Sequence, residues 1–284
     1  MRVRYSFSSR RTRKTKNMRK QRQKYPRIVQ KIVLNSDIIL QILDSRFIQD
    51  TRNIELEQMI KKEGKKIIQV LNKSDLIDKK ELKEELLMEI QPFVLTSCIK
   101  RIGIKKLRDM IKSEAKKIEK PADKDRLNKI TVGIIGYPNT GKSSLINILI
   151  GKNSAKTGSE AGFTKGMQKL KLTSEIQLLD SPGVIPNKDY SGTEIQAIAK
   201  HTKVGGRSFS QVKNPELVIS ELMKEYPKLL EKCYKIDAKG NSETLLEELG
   251  RQKNFLKKGG KINDDQAARF ILKEWQEGKI IPSK

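Results

Sequence analysis

The chain predicts an α/β fold: a doubly wound, mostly parallel sheet followed by a small helical domain. Three observations carry this. From residue 32 onward, apolar runs of five to seven residues alternate with helix-like segments. One of those runs leads straight into a glycine-rich loop and then a helix. After about residue 190 the strand-like runs stop and only helical spacing continues.

The elements follow in order. Strands are expected at IILQILD (38–44), KIIQVLN (66–72), PFVLTS (92–97), ITVGIIG (130–136) and IQLLD (176–180). Helical stretches lie between them near 53–63, 79–89, 104–118 and 142–150. The segment EKPADKDRLNK (119–129) is polar, contains Pro121 and shows no apolar period, so it reads as a surface connection. Beyond it, 214–232, 242–256 and 263–277 carry helical spacing. Ala267, Phe270, Ile271 and Trp275 share one face of the last segment, with Asp264 or Asp265 placed to cap it. The chain divides accordingly into a basic arm (1–30), a sheet domain (31–190) and a helical domain (191–284).

Charge narrows the partners. Sixty Lys and Arg against 34 Asp and Glu give a formal charge of +26, a field that concentrates polyanions. Residues 1–31 contain no acid at all, and like charges at that density resist packing until a polyanion orders them. Nucleic acid is the expected partner. Lipid is the competing polyanion, but no apolar run reaches the ~20 residues of a spanning helix. The basic N-terminus lacks the apolar stretch of a secretory signal, so a cytoplasmic protein is expected. Two cysteines, Cys98 and Cys233, are too few for a disulfide framework or a zinc site.

The chemistry sits in four short boxes. Gly136-Tyr137-Pro138-Asn139-Thr140-Gly141-Lys142-Ser143 fits G-x-x-x-x-G-K-[ST] between a strand and a helix. Its amides, from Asn139 through Ser144, are expected to curl round phosphates, with Lys142 on the outer phosphates and Ser143 on Mg2+. Asp180-Ser181-Pro182-Gly183 ends the strand IQLLD, where Asp180 is placed to hold a magnesium-bound water and the Gly183 amide to face the terminal phosphate. Thr164 lies between these boxes, where a mobile switch supplies a second hydroxyl to Mg2+. Upstream, Asn72-Lys73-Ser74-Asp75 reads N-K-x-D, in which a carboxylate accepts from two guanine N–H groups; adenine offers no such pair, so GTP and GDP are expected rather than ATP. Thr96-Ser97-Cys98 then supplies a loop whose amide reaches the guanine oxygen. Lys142, Thr164 and Gly183 are the expected catalytic set.

The order of the boxes is the informative part. The common arrangement runs from phosphate loop through switches to guanine boxes, whereas this chain places the guanine boxes first. Joining the old termini and cutting a switch-side loop preserves the sheet and permutes the chain, with 119–129 as the join. A permuted P-loop NTPase G domain is therefore the expected fold.

At this point the sequence resembles the circularly permuted GTPases of the YlqF/YawG type. The resemblance rests on Asp44-Ser45-Arg46, Asn72 to Asp75, Gly136 to Ser144, Gly162 to Thr164 and Asp180 to Gly183. It continues in Leu256 to Gly260 and in Trp275-Gln276-Glu277-Gly278-Lys279-Ile280. It implies a GTP-hydrolysing switch that acts in assembly of the large ribosomal subunit. The implied partners are rRNA and the precursor particle, with no membrane or DNA, and a monomer off the ribosome. Two positions depart from the family pattern. Cys98 stands where members often carry alanine. Bacterial relatives use an N-terminal histidine, whereas the only histidine here, His201, reads as a surface or interface residue. Val184 after Gly183 cannot orient water, so slow basal hydrolysis is expected. Asn139 matches the asparagine that admits K+ beside the phosphates, though a loop asparagine stabilising its own turn has the same appearance. A GTPase serving translation or RNA modification fits the same composition, and an ATP-using P-loop enzyme is the weaker alternative.

Overall fold

Long runs of β-branched and leucine side chains have to be covered on both faces, and a parallel sheet between helices does this. The computed structural model describes residues 29–78, 80, 82–118, 129–151, 168–180 and 195–282. Strands β1 (Ile38–Asp44), β2 (Lys66–Asn72), β3 (Phe93–Leu95), β4 (Ile130–Gly136), β5 (Gln168–Lys171) and β6 (Ile176–Asp180) form one sheet in the order β3-β2-β1-β4-β6-β5. All pairings are parallel except β5 with β6. Four strands keep the bounds read from the sequence. The fifth is shorter than PFVLTS, since Pro92 has no N–H and the ladder ends at Leu95.

All seven residues of β1 are buried. Alternation sends Ile38, Leu40 and Ile42 to one face, against α3 (Ile104–Lys116) and α4 (Lys142–Ile150). Ile39 goes to the other face, against α1 (Ile54–Lys62) and the helical segment 29–34, where Val29 is already buried. Helix α1 starts where the Asn53 side chain accepts from the Leu56 amide at 3.1 Å. Helix α2 (Glu84–Glu89) covers less of its expected span. The antiparallel edge strand β5 had no signal in the sequence: Gln168, Lys169 and Lys171 are exposed, and an edge strand needs little apolar pattern.

The α-helices after β6 are α5 (Ile195–Lys203), α6 (Pro215–Glu225), α7 (Leu229–Tyr234), α8 (Ser242–Gln252) and α9 (Asp264–Glu277) among the described residues. Three features differ from the sequence reading. Helix α5 lies upstream of the first expected tail helix. The stretch 214–232 is two helices, broken where Pro227 cannot continue the ladder and Lys228 takes a φ of 62°. The cap of α9 is Asn263, whose side chain accepts from the Gln266 amide, while Asp264 and Asp265 sit in the first turn. Phe47 and Tyr137, which follow β1 and β4, belong to the same apolar cluster as these helices. Among the described residues no helix is long and apolar enough to cross a membrane.

The chain enters the sheet at its middle, runs outward through β2 and β3, then returns to the other side of β1 through β4. The order reverses between β1 and β4, and the crevice at such a reversal is where doubly wound sheets bind ligands. Both glycine-rich and guanine-type boxes open there.

Candidate nucleotide site

Strand β4 ends at Gly136, a position that takes only glycine because a Cβ there would stand 2.5 Å from the Ile42 carbonyl oxygen. The loop then turns through two left-handed residues, Asn139 at φ 59° and Gly141 at φ 95°. Thr140 Oγ1 donates to the Tyr137 carbonyl at 2.9 Å, closing the turn. Lys142 Nζ donates to the carbonyls of Gly136 at 3.1 Å and Tyr137 at 2.7 Å. An ammonium has three N–H donors, so these two carbonyls aim it while leaving one for an anion. Burial lowers its pKa to about 8, against the opposing pull of Asp180. Asp180 is buried at the end of β6, and Ser143 stands in the first turn of α4.

The guanine side is tied to this loop by one side chain. Asn72, the last residue of β2, donates from Nδ2 to the Thr140 carbonyl at 2.8 Å, across 68 residues of sequence. Its Oδ1 accepts from Thr96 Oγ1 and from Cys98 Sγ, each at 3.3 Å. Gly141 has to be glycine, since a Cβ would lie 2.2 Å from Asn72 Nδ2. Lys73 follows at φ 61°, and Asp75 occupies the short turn Ser74–Leu76. The Ser97 amide donates to the Ile102 carbonyl at 3.0 Å, so any amide offered to a base comes from further along the loop, at Cys98. Burial pushes the Cys98 thiol up to about 11 despite the hydrogen bond to Asn72, which keeps it protonated.

Of the residues picked from the sequence, the structure brings Asn72, Thr140, Gly141, Lys142 and Asp180 together. Ser143 and Ser144 open the helix behind them. Thr164 and Gly183 lie outside the described residues, as do most of the basic arm and the 119–128 connection. Asn139 donates from Nδ2 to the Gly205 carbonyl at 2.8 Å, a contact with the helical unit that nothing local foretold. His201 is an interface histidine: it is buried and hydrogen-bonded through Nδ1 to the Tyr137 hydroxyl. Asp44 and Arg46 stood out only as a motif; in space they contact Lys73 of the guanine box and the end of α9.

Comparison with known proteins adds to this geometry. A family model described as 50S ribosome-binding GTPase matches residues 131–246. An uncharacterized GTP-binding protein of Methanocaldococcus jannaschii is 39% identical over 89% of this chain and 65% of its own. Guanine nucleotide-binding protein-like NSN1 of Arabidopsis thaliana is 33% identical over 88% of this chain and 46% of its own. The crystal structure of GNP-bound YlqF from T. maritima has the same fold, with a TM-score of 0.61 at 21% identity over 90% of this chain and 94% of that one. The chain belongs to the circularly permuted GTPases of the YlqF/YawG type. It spans about two thirds or less of the length of the curated relatives it matches. Within that family, Asn72 is where the permutation becomes geometry, because its one amide joins boxes whose order in the chain is reversed.

Proposed function

We propose that this protein binds GTP, hydrolyses it slowly, and acts as a switch on ribosomal RNA in precursors of the large ribosomal subunit. The observation that carries this reading is the Asn72–Thr140 bond, which holds the N-K-x-D box directly against the glycine-rich loop. The relatives support it through their printed names. Nucleolar GTP-binding protein 2 of Pneumocystis carinii and nuclear GTP-binding protein NUG1 of Saccharomyces cerevisiae are examples. Those names place relatives in the nucleolus or nucleus, so a cytoplasmic site for this chain holds where its own large subunits are assembled in the cytoplasm.

The residues divide the work as phosphoryl transfer requires, by positioning and by charge. Lys142, held by two loop carbonyls, neutralises the outer phosphates. The amides from Asn139 to Ser144 and the N-terminus of α4 receive the rest of the phosphate charge. Ser143 and Asp180 are hard oxygen donors on either side of the loop and suit Mg2+, with Thr164 as the switch ligand. Magnesium, when bound, supplies the charge that the transferring phosphoryl group needs. The Gly183 amide, outside the described residues, would serve the terminal phosphate. Asn139 would be the residue to hold potassium, whose charge would assist turnover together with contact with the ribosomal particle, because Val184 offers no group to orient water.

The decisive experiment is nucleotide choice. The unaltered protein should bind fluorescent GTP and GDP but not ATP, and Asp75→Asn should shift preference toward xanthosine nucleotides. Equal affinity for ATP and GTP overturns the reading. Co-sedimentation with large-subunit particles across a salt series tests the RNA half, with each phosphate contact adding roughly 0.7 to 0.9 to the log–log slope. Steady-state rates in matched potassium and sodium buffers decide the role of Asn139; equal rates return it to the loop.

A further inference from the structure

Asp44 lies at the centre of a buried cluster that the GTPase reading leaves without a role. Its Oδ2 accepts from two cations at once, Lys73 Nζ at 2.7 Å and Arg46 Nη2 at 2.9 Å, while Oδ1 accepts from Arg46 Nε at 3.1 Å. Burial on its own raises this carboxyl's pKa, but Lys73 and Arg46 outweigh it and hold the group well below the usual carboxylate range. The carboxylate is therefore charged at any physiological pH. With two cations on one anion, the cluster holds one positive charge in excess.

Its two arms lead to different places. Arg46 is almost wholly enclosed, with 2% of its side chain exposed, and its Nη1 donates to the Trp275 carbonyl at 3.1 Å in the last turn of α9. Helix carbonyls there carry partial negative charge, which favours a guanidinium. The same guanidinium stands 5.0 Å over the Phe47 ring, and Phe47 stacks on Trp275 with centroids 6.1 Å apart. Lys73 is the open arm, with 23% of its side chain exposed, and it belongs to the Asn72–Asp75 box. Three residues on, Leu76 meets the helical unit as well, for a Cβ on Gly278 would stand 2.6 Å from its Cδ1.

Resting on the reading of Asn72–Asp75 as the guanine box, we propose that Asp44 is a positioning residue that couples occupancy of that box to the seating of α9. Lys73 and Arg46 share one carboxylate oxygen, so a base that draws on Lys73 changes the share held by Arg46, and with it the hold on Trp275. The coupling is reciprocal: whatever unseats α9 weakens nucleotide binding by the same factor. A ribosomal particle that pulls on the helical unit thereby acts on the nucleotide without touching it.

Trp275 is the chain's one tryptophan, so its fluorescence reports from the joint itself. GDP is titrated into the full-length protein while Trp275 emission is followed, with binding of a fluorescent GDP measured in parallel. The wild-type protein should show a saturable emission change whose midpoint matches the binding constant. Lys73→Met keeps the stem and removes the ammonium; it should bind GDP about tenfold more weakly and lose most of the emission change at saturation. Lys73→Arg should restore the change. Arg46→Lys keeps the charge on Asp44 but not the fork that reaches Trp275, so it should bind GDP with little emission response. GDP binding by the wild-type protein without any change in Trp275 emission overturns the coupling, as does a full response in Lys73→Met or Arg46→Lys. A wild-type protein that binds no GDP overturns the GTPase reading and the coupling with it.

Discussion

Strand β1 buries all seven of its residues between two helical layers, whereas α9 buries one stripe, Ala267, Ala268, Ile271, Leu272 and Trp275, and leaves the rest of its surface to solvent or partial cover. The two regions are secured differently. In the sheet the apolar load is spread over many similar side chains, so no single one is indispensable. The helical unit also spreads its apolar load over many side chains, but one ring in it gathers contacts from several elements: Trp275 stacks on Phe47, tilts against Tyr226 at 5.4 Å and donates from Nε1 to the Lys203 carbonyl at 3.0 Å. Lys203 is in turn paired with Asp50 and Glu225, each at 2.8 Å. The lesson is that the crevice lies between a sheet of interchangeable side chains and a helical unit whose core includes one ring with many different partners.

The sharpest way to break that comparison is to remove the ring. Trp275→Ala should cost about 3–5 kcal/mol, against about 0.5–1.5 kcal/mol for Ile42→Val in the sheet. Thermal unfolding followed by circular dichroism should then show the helical unit melting before the sheet. A single, merely earlier transition means that the two regions form one cooperative unit.

A smaller change addresses the crevice alone. Gly141→Ala places a Cβ against Asn72 at a left-handed φ of 95°, and should cost about 1–3 kcal/mol, roughly five- to 150-fold in GTP affinity. The melting of the helical unit should stay as in the unaltered protein. Titration with fluorescent GTP and a thermal scan read both.

Acid–base behaviour separates the crevice from the scaffold by sign. The Lys142 pKa is lowered from 10.5 to about 8, so between those values the folded chain holds fewer protons than the unfolded one. Stability of the nucleotide-free protein should therefore rise with pH across that window. Phosphate affinity should fall over the same range, by no more than about tenfold per pH unit, as the ammonium is lost. Denaturant melts and GTP titrations at pH 8, 9 and 10 show whether the two curves diverge.

The smallest expected effect is at the tie between the two regions. Asn139→Ala removes the bond to the Gly205 carbonyl and should destabilise the helical unit by about 1 kcal/mol in denaturant titration. A loss confined to nucleotide affinity makes Asn139 a ligand of the site and not a tie.

What was legible from the sequence was whatever consecutive residues decide. Runs such as IILQILD and ITVGIIG have to be strands covered on both faces. Gly136 to Ser143 has to be a tight loop between a strand and a helix, and the order of boxes along the chain is itself a statement about topology. The segment QKLK lacked the apolar content that marks a strand and became one only by pairing with β6. Pro227 was visible, but the helical spacing on both sides of it hid the break. The seat of His201 against Tyr137, the commitment of the Ser97 amide to Ile102 and the reach of Arg46 to Trp275, 229 residues away, depended on the fold. Strands and turns follow from local sterics and periodicity, which a sequence carries directly. Hydrogen bonds and ion pairs between distant residues exist only once the sheet has set their distance, so the contacts that join the crevice to the helical unit were decided by tertiary structure.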